Sequence, residues 1–549
     1  MGERDISGAA FCAALPAVLL TVALSPTIRA ADLPAAPLLP ARISLAEAVR
    51  VTLAQDPNIA VQRAAVAYYQ GQAESASGAF DLTAAAKVQA SRTRTPAVYQ
   101  DPSTQEEMLQ VSLQDNAQYQ VSLSQKTRWG LTLQPQANVT RTVNHTPGEI
   151  ENTASQVGFT LLVPLARGLG YRPTTAAERA ARTQVEAAEA SLRDRVAAEA
   201  LATVNAYWNC RAAELSLAIY REAESNALRT VNITRAMISG SLQTEANLEQ
   251  ANANYDGAMA SRLVAEKSFA QAALALATAM GLTPDQLPAT PLAADDFPEM
   301  PPDFDDSSAM IEALVRDALR DRPDLRSASL NEEAAAVLLE GARDNLLPQL
   351  DASLFGGYAG VDSGGEFSRY ATALTRNAQG LNVQGSLAFT WPVQNRAALG
   401  QYASQIASRD QYRSQHAQKA AQVVSDVMLD VRSVALGLAA LRKSEASTQA
   451  YRHAVRNQET LFELGSGSLL DVINTQTSLA NAQIQELNAR VSCLKALAQL
   501  RCDLGRLVEE DGRGAFRVDT AALCRPPAPR PGPLAAGPGP VPNREEAPP

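Results

Sequence analysis

Hydrophobic positions recur along the chain at two different periods, which separate predicted helices from predicted strands. Six apolar residues alternate spacings of three and four: Val424, Val427, Val431, Val434, Leu438 and Leu441. This period predicts a long amphipathic helix with one buried face. Another helix is predicted from Thr174 to about Ile238, roughly 95 Å long at about 1.5 Å per residue. Helices of that length pack as coiled coils, so we expect extended helical packing.

Other segments alternate apolar and polar residues, which predicts strands with one apolar face. Their apolar members are Tyr119, Val121, Leu123, Leu131, Leu133, Val157, Phe159 and Leu161, then Leu350, Ala352, Leu354, Leu381, Val383, Leu387, Phe389 and Trp391. Trp129, Tyr119 and Trp391 lie in these regions, where aromatic residues form membrane-interface girdles or pack in a core. The longer strand region of the first half predicts an external loop around Ser91 to Gln118.

Short sequences that recur in the same order predict a tandem duplication. LAEAVRVTLAQDPNI, from Leu45 to Ile59, corresponds to IEALVRDALRDRPDL, from Ile311 to Leu325. LLVPLARGLG (161–170) corresponds to TWPVQNRAALG (390–400). A short helix is expected to end near the shared proline, Pro57 or Pro323, because the residue before a proline disfavours helix.

The duplication predicts the domain organisation. Residues 31–281 are the first repeat, with a short helix, a strand pair and a long helical hairpin. Residues 311–507 are the second repeat, with the same organisation and a shorter strand region. A connector rich in proline and aspartate, 282–310, joins them. Residues 1–30 are predicted to be a signal peptide, and the proline-rich residues 508–549 a disordered C-terminal tail.

Composition and residue types narrow the functional classes. The net charge is −10, without a basic patch, so nucleic acid is not an expected partner. His145, His416 and His453 lack metal-ligand spacing. The sequence has no nucleophile–base arrangement, phosphate loop or paired catalytic carboxylates, so we expect no enzyme, metal or cofactor. The cysteines after the signal peptide allow three pairings or stay as buried thiols: Cys210, Cys493, Cys502 and Cys524.

The strands raise a problem of closure. After Ala30 no apolar run is long enough for a membrane-spanning helix. Strands in a bilayer must close into a barrel, because open edges leave backbone groups unsatisfied in lipid. Two main strands per repeat give about four per chain, below the roughly eight that the smallest barrels need. Either these strands lie outside a membrane or several chains share one barrel, and a trimer would supply about twelve strands.

From about Ile43 to Leu507, the chain resembles the TolC-like outer-membrane efflux family, the outer-membrane factors of tripartite efflux or type I secretion systems. The resemblance rests on the two opening segments, on VPLARGLG before the first long helix, and on GSGSLLDVINTQTSLANA in the second half. It implies a mainly α fold with a small β part. The long coiled-coil helices would form a trimeric α-helical barrel, continuous with a twelve-stranded outer-membrane β-barrel built from four strands per chain.

The resemblance also implies a location and a set of partners. The homotrimer would lie in the outer membrane, in contact with its lipid, and extend into the periplasm. It would passively conduct substrates that an inner-membrane transporter, proton-driven or ATP-driven, expels through a periplasmic adaptor protein. The sequence also fits a function of another class: a periplasmic coiled-coil scaffold that forms no channel, in which the alternating segments are a small soluble sheet.

Two glycine-containing breaks in the long helices are predicted to be the periplasmic turns of the helical hairpins. By resemblance their residues would dock the adaptor: Ser239, Gly240, Ser241 and Leu242 in the first break, and Gly465, Ser466, Ser468 and Leu469 in the second. An ordinary helix–helix turn explains these glycines equally well.

Asp471 follows the second break and has two interpretations. Ser468 and Asp471 fit S-x-x-[DE], the pattern of a helix N-terminal cap. The resemblance instead places Asp471 in a pore constriction, where three carboxylates of a trimer would form a ring selective for cations. The family's other constriction positions fall at Asn474, Phe462 and Gly467. Asn474 and Gly467 lack the charges, and Phe462 the hydroxyl, that the family uses there, so we expect a weaker or different closed-state lock.

Overall fold

The computed structural model describes residues 40–100, 107–145, 151–239, 244–287, 290–363, 372–373, 375, 381–511, 515–523 and 525–530. The signal peptide predicted at residues 1–30 lies outside these ranges, as do Gly240, Ser241 and Leu242 of the first predicted turn. Within the described ranges, no helix is both long enough and apolar enough to cross a membrane.

Helices make up most of the described chain, and strands form a smaller part, as the sequence predicts. The helices are α1 (Leu45–Gln55), α2 (Pro57–Ser77), α3 (Tyr171–Thr174), α4 (Ala176–Ser239), α5 (Glu245–Ala279), α6 (Ser308–Asp321), α7 (Pro323–Asp344), α8 (Arg396–Glu463) and α9 (Leu469–Asp503). The strands are β1 (Arg42–Ile43), β2 (Thr83–Gln100), β3 (Glu107–Lys126), β4 (Thr132–Asn144), β5 (Asn152–Pro164), β6 (Leu292–Ala293), β7 (Gln349–Ser363), β8 (Asn382–Thr390), β9 (Glu509–Glu510) and β10 (Phe516–Arg517).

A proline separates the two helices of each opening segment. α2 begins at Pro57 and α7 at Pro323, and the preceding helices α1 and α6 both end two residues earlier. Proline suits the first position of a helix because the amide that it lacks has no partner there. The Asp56 carboxylate caps α2 by accepting the backbone N–H of Asn58 at 2.7 Å. The predicted helix ends are therefore confirmed.

The long helices pack as two hairpins. α4 contains 64 residues and α8 contains 68, and they pack against α5 and α9 respectively. The helix predicted from Thr174 to about Ile238 is thus confirmed, with a start at Ala176. α4 also packs against α2, α7 and α9, and α7 packs against α8. Contacts between α4 and α9 therefore join the two hairpins.

A buried apolar cluster contains side chains of α6, α8 and α9, together with Phe304 before α6 and Leu504 after α9. Its members are Phe304, Leu314, Ala318, Val423, Val427, Val431, Val434, Leu438, Cys493, Leu497, Leu500 and Leu504. The predicted stripe on α8 is buried except at its first position, where Val423 is buried and Val424 is half-buried. Spacings of three and four both fit the period of an α-helix, so the sequence did not choose between the two valines.

One antiparallel sheet contains six strands in the order β2-β3-β4-β5-β7-β8. The prediction of four strands per chain is therefore wrong for the described sheet. So is the predicted loop from Ser91 to Gln118, because most of that stretch belongs to β2 and β3. The stretch contains charges that obscure the alternation of a strand. Arg92 and Asp115 lie opposite each other across β2 and β3, with 2.6 Å between Arg92 Nε and Asp115 Oδ1, so each charge has a partner.

The C-terminal segment predicted to be disordered has structure up to Arg530. β9 and β10 pair with each other. Arg506 Nη1 donates to the carbonyl of Ala528 at 2.7 Å, and the backbone N–H of Arg530 donates to Asp317 Oδ2 at 2.9 Å. These contacts tie the segment to the C-terminal part of α6 and to the residues that follow α9, so the prediction is wrong for its described part. A proline-rich segment forms few backbone hydrogen bonds of its own, because proline lacks an N–H group. Side chains elsewhere in the protein can still donate hydrogen bonds to its carbonyl groups.

Candidate functional site

The turn between α8 and α9 has the hydrogen bonds of a Schellman motif. Ser466 N–H donates to the carbonyl of Leu461 at 3.0 Å. Gly465 N–H donates to the carbonyl of Phe462 at 2.9 Å. Gly465 has a φ of 76°, a left-handed conformation that favours glycine. The break predicted here is therefore a turn that ends one helix and reverses the chain into the next.

Gly467 is required by close backbone packing within the same turn. A Cβ atom at this position would lie 2.7 Å from the nitrogen of Phe462 and 2.9 Å from the carbonyl carbon of Leu461. Both neighbours are backbone atoms, which cannot move aside without opening the turn. Gly467 thus has a structural reason to be glycine. The resemblance implies a charged residue at this position, whereas the turn here leaves no room for a side chain.

A small apolar cluster lies beneath the turn. Its buried members are Val231, Ala251, Phe462, Leu469, Val472 and Ile473. They come from both helical hairpins, since Val231 lies on α4 and Ala251 on α5. Phe462 is only 2% exposed, and Leu469 is also buried. These two residues hold the turn against the other hairpin and offer little surface for a pore or an adaptor.

Asp471 and Asn474 are both exposed near the start of α9. Three positions apart on a helix, they lie on the same side. Ser468 occupies the N-cap position, as predicted, but its side chain makes no capping hydrogen bond. Asp471 lies in the first turn, where its negative charge is favoured by the helix dipole. The predicted cap is therefore correct in position and wrong in its hydrogen bond.

The other predicted turn residues are only partly described. Ser239 ends α4, and its hydroxyl donates to the carbonyl of Ala236 at 2.6 Å. Gly240, Ser241 and Leu242 lie outside the described residues. In the second turn, Gly465, Ser466 and Ser468 are exposed, which agrees with their predicted place at a hairpin tip.

Exposed leucines surround the second turn. Leu464 is 75% exposed, and Leu461 and Leu470 are also exposed. The turn therefore presents apolar side chains beside its serines. Sequence reasoning did not select these leucines, although their position next to the glycines was visible.

Trp129 and Trp391 lie at strand ends and not within strands, whereas Trp208 is buried in α4. Trp129 is in the turn between β3 and β4, and Trp391 directly follows β8. Both are more than half exposed, whereas Tyr119 in β3 is half-buried. Core packing within this chain is therefore excluded for Trp129 and Trp391. Exposed tryptophans at the ends of strands fit an aromatic girdle.

A buried charged cluster lies where α6, α7, α8 and α9 meet. Arg322 Nη2 lies 2.9 Å from Asp324 Oδ2, and Arg322 Nη1 lies 3.0 Å from Asp503 Oδ1. Burial, followed by the hydrogen bond and negative charge of Asp503, raises the pKa of Asp430 to about 8. Sequence reasoning missed this cluster. The sequence did contain one indication of it. The residue before the shared proline is an acid, Asp56, in the first half and a base, Arg322, in the second.

The histidines and cysteines do not form a reactive site in the described ranges. His416 Nδ1 lies 2.9 Å from Glu332, and His145 Nε2 lies 2.9 Å from Asp115. No group of three potential metal ligands occurs among the described residues. Cys210, Cys493 and Cys502 carry thiols and form no disulfide, and Cys524 lies outside the described residues.

A protein family and several known proteins are similar to this chain. The family described as "Outer membrane efflux protein" matches residues 314–506, within the second half of the chain. TolC of Escherichia coli K12 is 25% identical over 321 residues, which are 57% of this chain and 62% of TolC. The match therefore spans less than two thirds of that relative. TolC of Vibrio cholerae is 24% identical over 419 residues, which are 74% of this chain and 89% of that protein.

Solved structures share the fold at low sequence identity. The Campylobacter jejuni CmeC outer membrane channel has a TM-score of 0.62 at 14% identity, and the likeness covers 87% of this chain and 90% of that one. The outer membrane protein VceC of Vibrio cholerae has a TM-score of 0.60 at 18% identity, with 84% and 96% covered. The likeness extends over both halves of the chain, because it covers far more than residues 314–506.

Proposed function

We propose, from the membership of this chain in the family of TolC-like outer-membrane efflux proteins, that it is an export channel. The protein lies in the outer membrane and extends into the periplasm. The channel conducts substrates passively, and an inner-membrane transporter, proton-driven or ATP-driven, supplies the energy. A periplasmic adaptor protein joins the two.

The observation that carries the proposal is the continuity of one sheet with both long helices. β5 ends at Pro164 and α4 begins at Ala176, while β8 ends at Thr390 and α8 begins at Arg396. Since β5 pairs with β7, and β7 with β8, the two long helices leave the same sheet. A sheet in the bilayer would thus continue directly into a helical duct in the periplasm.

The chain acts as a homotrimer in this proposal. Asp471 and Asn474 line a constriction at the periplasmic end, where the three Asp471 carboxylates favour cations. Phe462 and Gly467 support the constriction from behind the turn, since neither offers a side chain to a pore. Both hairpin tips dock the adaptor, the first through residues 239–242 and the second through the exposed Gly465, Ser466 and Ser468. At the second tip, exposed leucines beside Ser466 and Ser468 give a mixed apolar and polar surface, as interfaces commonly have.

Export from cells tests the proposal. The chain is expressed in bacteria that lack their own outer-membrane efflux channel but keep an adaptor and a pump. We expect lower accumulation of a fluorescent efflux dye than in cells with the adaptor and pump alone. The protein should appear in outer-membrane fractions as a heat-modifiable trimer. A soluble periplasmic monomer would contradict the channel and support the coiled-coil scaffold.

A further inference from the structure

Along one stretch of the sheet the strands share one apolar face and one polar face, and beyond this stretch the paired Arg92 and Asp115 lie on the apolar side. A row of paired residues across five strands is apolar or aromatic: Ala86, Val121, Ala137, Val157 and Tyr358. The adjacent row, one residue along each strand, is mostly polar: Lys87, Gln120, Asn138, Gln156 and Ala359. Neighbouring rows point to opposite sides of a sheet. The alternation of each strand is therefore in register with that of its neighbours.

The apolar face is exposed at both edges of the sheet. In β2, Val88 is 60% exposed, and in β8, Val383 and Phe389 are each 63% exposed. An exposed apolar face of this extent marks a surface that contacts lipid or protein. Strands in a bilayer carry such a face on the lipid side and polar residues on the other. The apolar residues of β2 and β3 lie on the same side of the sheet as those of β4 to β8. We therefore infer that the first hairpin faces the same environment as the other strands.

The outermost strands are complementary in direction. Within the described part of the chain, β2 and β8 are the edges of the sheet. Each of the five successive pairings is antiparallel, so β2 and β8 run in opposite directions. A second copy placed beside the first can therefore pair its β2 with β8 and keep the antiparallel order. A head-to-tail contact of this kind closes into a ring if the rotation allows.

We propose that β8 of one copy pairs with β2 of the next, so that all six strands of every copy line the membrane wall. The proposal rests on the outer-membrane channel proposed above, because an edge exposed to lipid leaves backbone groups unsatisfied. With six strands in each copy, a trimer has eighteen strands, where the family resemblance implies twelve. Barrel diameter grows roughly in proportion to strand number, so the membrane pore is about 1.5 times wider than a twelve-stranded one.

Cross-linking between copies tests the pairing. Lys87→Cys on the polar face of β2 is combined in turn with Asn382→Cys, Gln384→Cys and Ser386→Cys on the polar face of β8. The three partners cover neighbouring registers, and a short bismaleimide is applied to intact outer membranes. The matched control series replaces Lys87→Cys by Asn138→Cys, which lies on the same face in β4. The unsubstituted chain measures any reaction of the native cysteines.

We expect covalent dimers and trimers from at least one member of the Lys87 series and from no member of the Asn138 series. Such bands from the Asn138 series would overturn the proposal, since four strands per copy would then meet across the interface. Absence of bands from both series would also overturn it. A chain that exports dye but cross-links through Asn138 refutes this pairing alone, so the two proposals fail separately.

Fluorophore quenching tests the position of β2 relative to lipid. An environment-sensitive fluorophore is attached to Val88→Cys or, as the matched control, to Lys87→Cys, and the protein is reconstituted with lipids that carry a nitroxide quencher. Quenching should be several-fold stronger at Val88 than at Lys87. Equal quenching at the two positions would show that β2 has no lipid-facing side and would overturn the proposal.

Discussion

In the first half of the chain, the hairpins β2–β3 and β4–β5 precede the long helix α4, whereas in the second half the described strands before α8 are β7 and β8. The helices that follow agree closely in length. α4 and α8 contain 64 and 68 residues, and α5 and α9 contain 35 each. A hairpin adds two antiparallel strands and returns the chain to the end of the sheet where it began. The number of strands can therefore change while the helical part stays the same.

The two halves thus follow different constraints. The helices of one half pack along the helices of the other, so their lengths must match. The sheet tolerates an additional hairpin as long as its apolar face stays in register with the neighbouring strands. The contacts that join the halves are accordingly helical, and they offer the sharpest tests of this comparison.

The largest effect is expected where the two helical hairpins meet below the second turn. Phe462→Ala removes a ring that is 2% exposed and packed against residues of both hairpins. We expect a loss of about 3–5 kcal/mol in the free energy of unfolding, as for buried aromatic residues in general. Thermal unfolding of the detergent-purified protein measures it. Leu464→Ala, at a residue 75% exposed, is the matched control and should change stability by less than about 0.5 kcal/mol. Equal losses would mean that the halves are not joined through Phe462.

A smaller change in stability is expected at a glycine in the turn of the second half, and a glycine in a helix of the first half is its control. Gly467→Ala brings a Cβ atom to 2.7 Å from the nitrogen of Phe462. We expect a loss of about 1–3 kcal/mol, the usual cost of local backbone strain. Gly257→Ala on α5 is the control, because a Cβ atom there meets nothing within 4 Å. It should stabilise by about 0.5–1 kcal/mol, since alanine favours helix over glycine. A neutral Gly467→Ala variant would show that the turn has room for a side chain.

These two glycines show what the sequence could predict. Periodicity was sufficient for the long helices, because apolar residues that face a neighbour must recur at the helical period. The turn at 465–469 was likewise visible as a glycine-containing break. The requirement for glycine at 467 was not, because it depends on the distance to the backbone of Phe462. The burial of Phe462 was also hidden, since its partners come from the other half of the chain.

The strands were harder to predict than the helices. Arg92 and Asp115 interrupt the alternation in β2 and β3, and only their pairing across the two strands explains them. The charged cluster around Arg322 was equally hard to predict, because Asp324, Asp426 and Asp503 come from three different helices. Contacts between residues distant in sequence leave no periodic signal in either segment.

The residue before the shared proline offers a test by pH. In the first half Asp56 caps α2, whereas in the second half Arg322 pairs with Asp503, which lies beside Asp430. The pKa of the buried Asp430 carboxyl is about 8 in the folded protein, compared with the ordinary aspartate value of 3.8. Between these two pH values the folded protein keeps a proton that the unfolded chain has lost. This group therefore stabilises the fold at low pH, and the contribution is lost as pH rises from about 4 to about 8, by at most about 1.4 kcal/mol per unit.

Asp430→Asn removes that titration, so the variant should gain stability relative to the unsubstituted protein as the pH increases from 5 to 8.5. Melting temperatures at pH 5, 7 and 8.5 measure the difference. Asp410→Asn, at an exposed aspartate on the same helix, is the control and should follow the unsubstituted protein at every pH. Parallel curves for Asp430→Asn would show that the Asp430 carboxyl does not hold a proton in the folded state.

The smallest effect on stability, and a distinct effect on conduction, is expected at the acids that begin the returning helices. Asp471 lies in the first turn of α9, and Glu245 in the first turn of α5. Both are exposed, so neutral substitutions should change stability by less than about 0.5 kcal/mol. If Asp471 lines the constriction, Asp471→Asn lowers the preference for cations in planar bilayers, because the ring loses one charge per chain.

Asn474→Asp, on the same side of α9, should raise that preference by adding a second acid one helical turn away. Glu245→Gln is the matched control for the loss of one acid from the other hairpin and should leave the reversal potential unchanged. If Glu245→Gln shifted the reversal potential as much as Asp471→Asn does, the first hairpin would contribute equally to the pore. The difference between the two halves would then be confined to their strands.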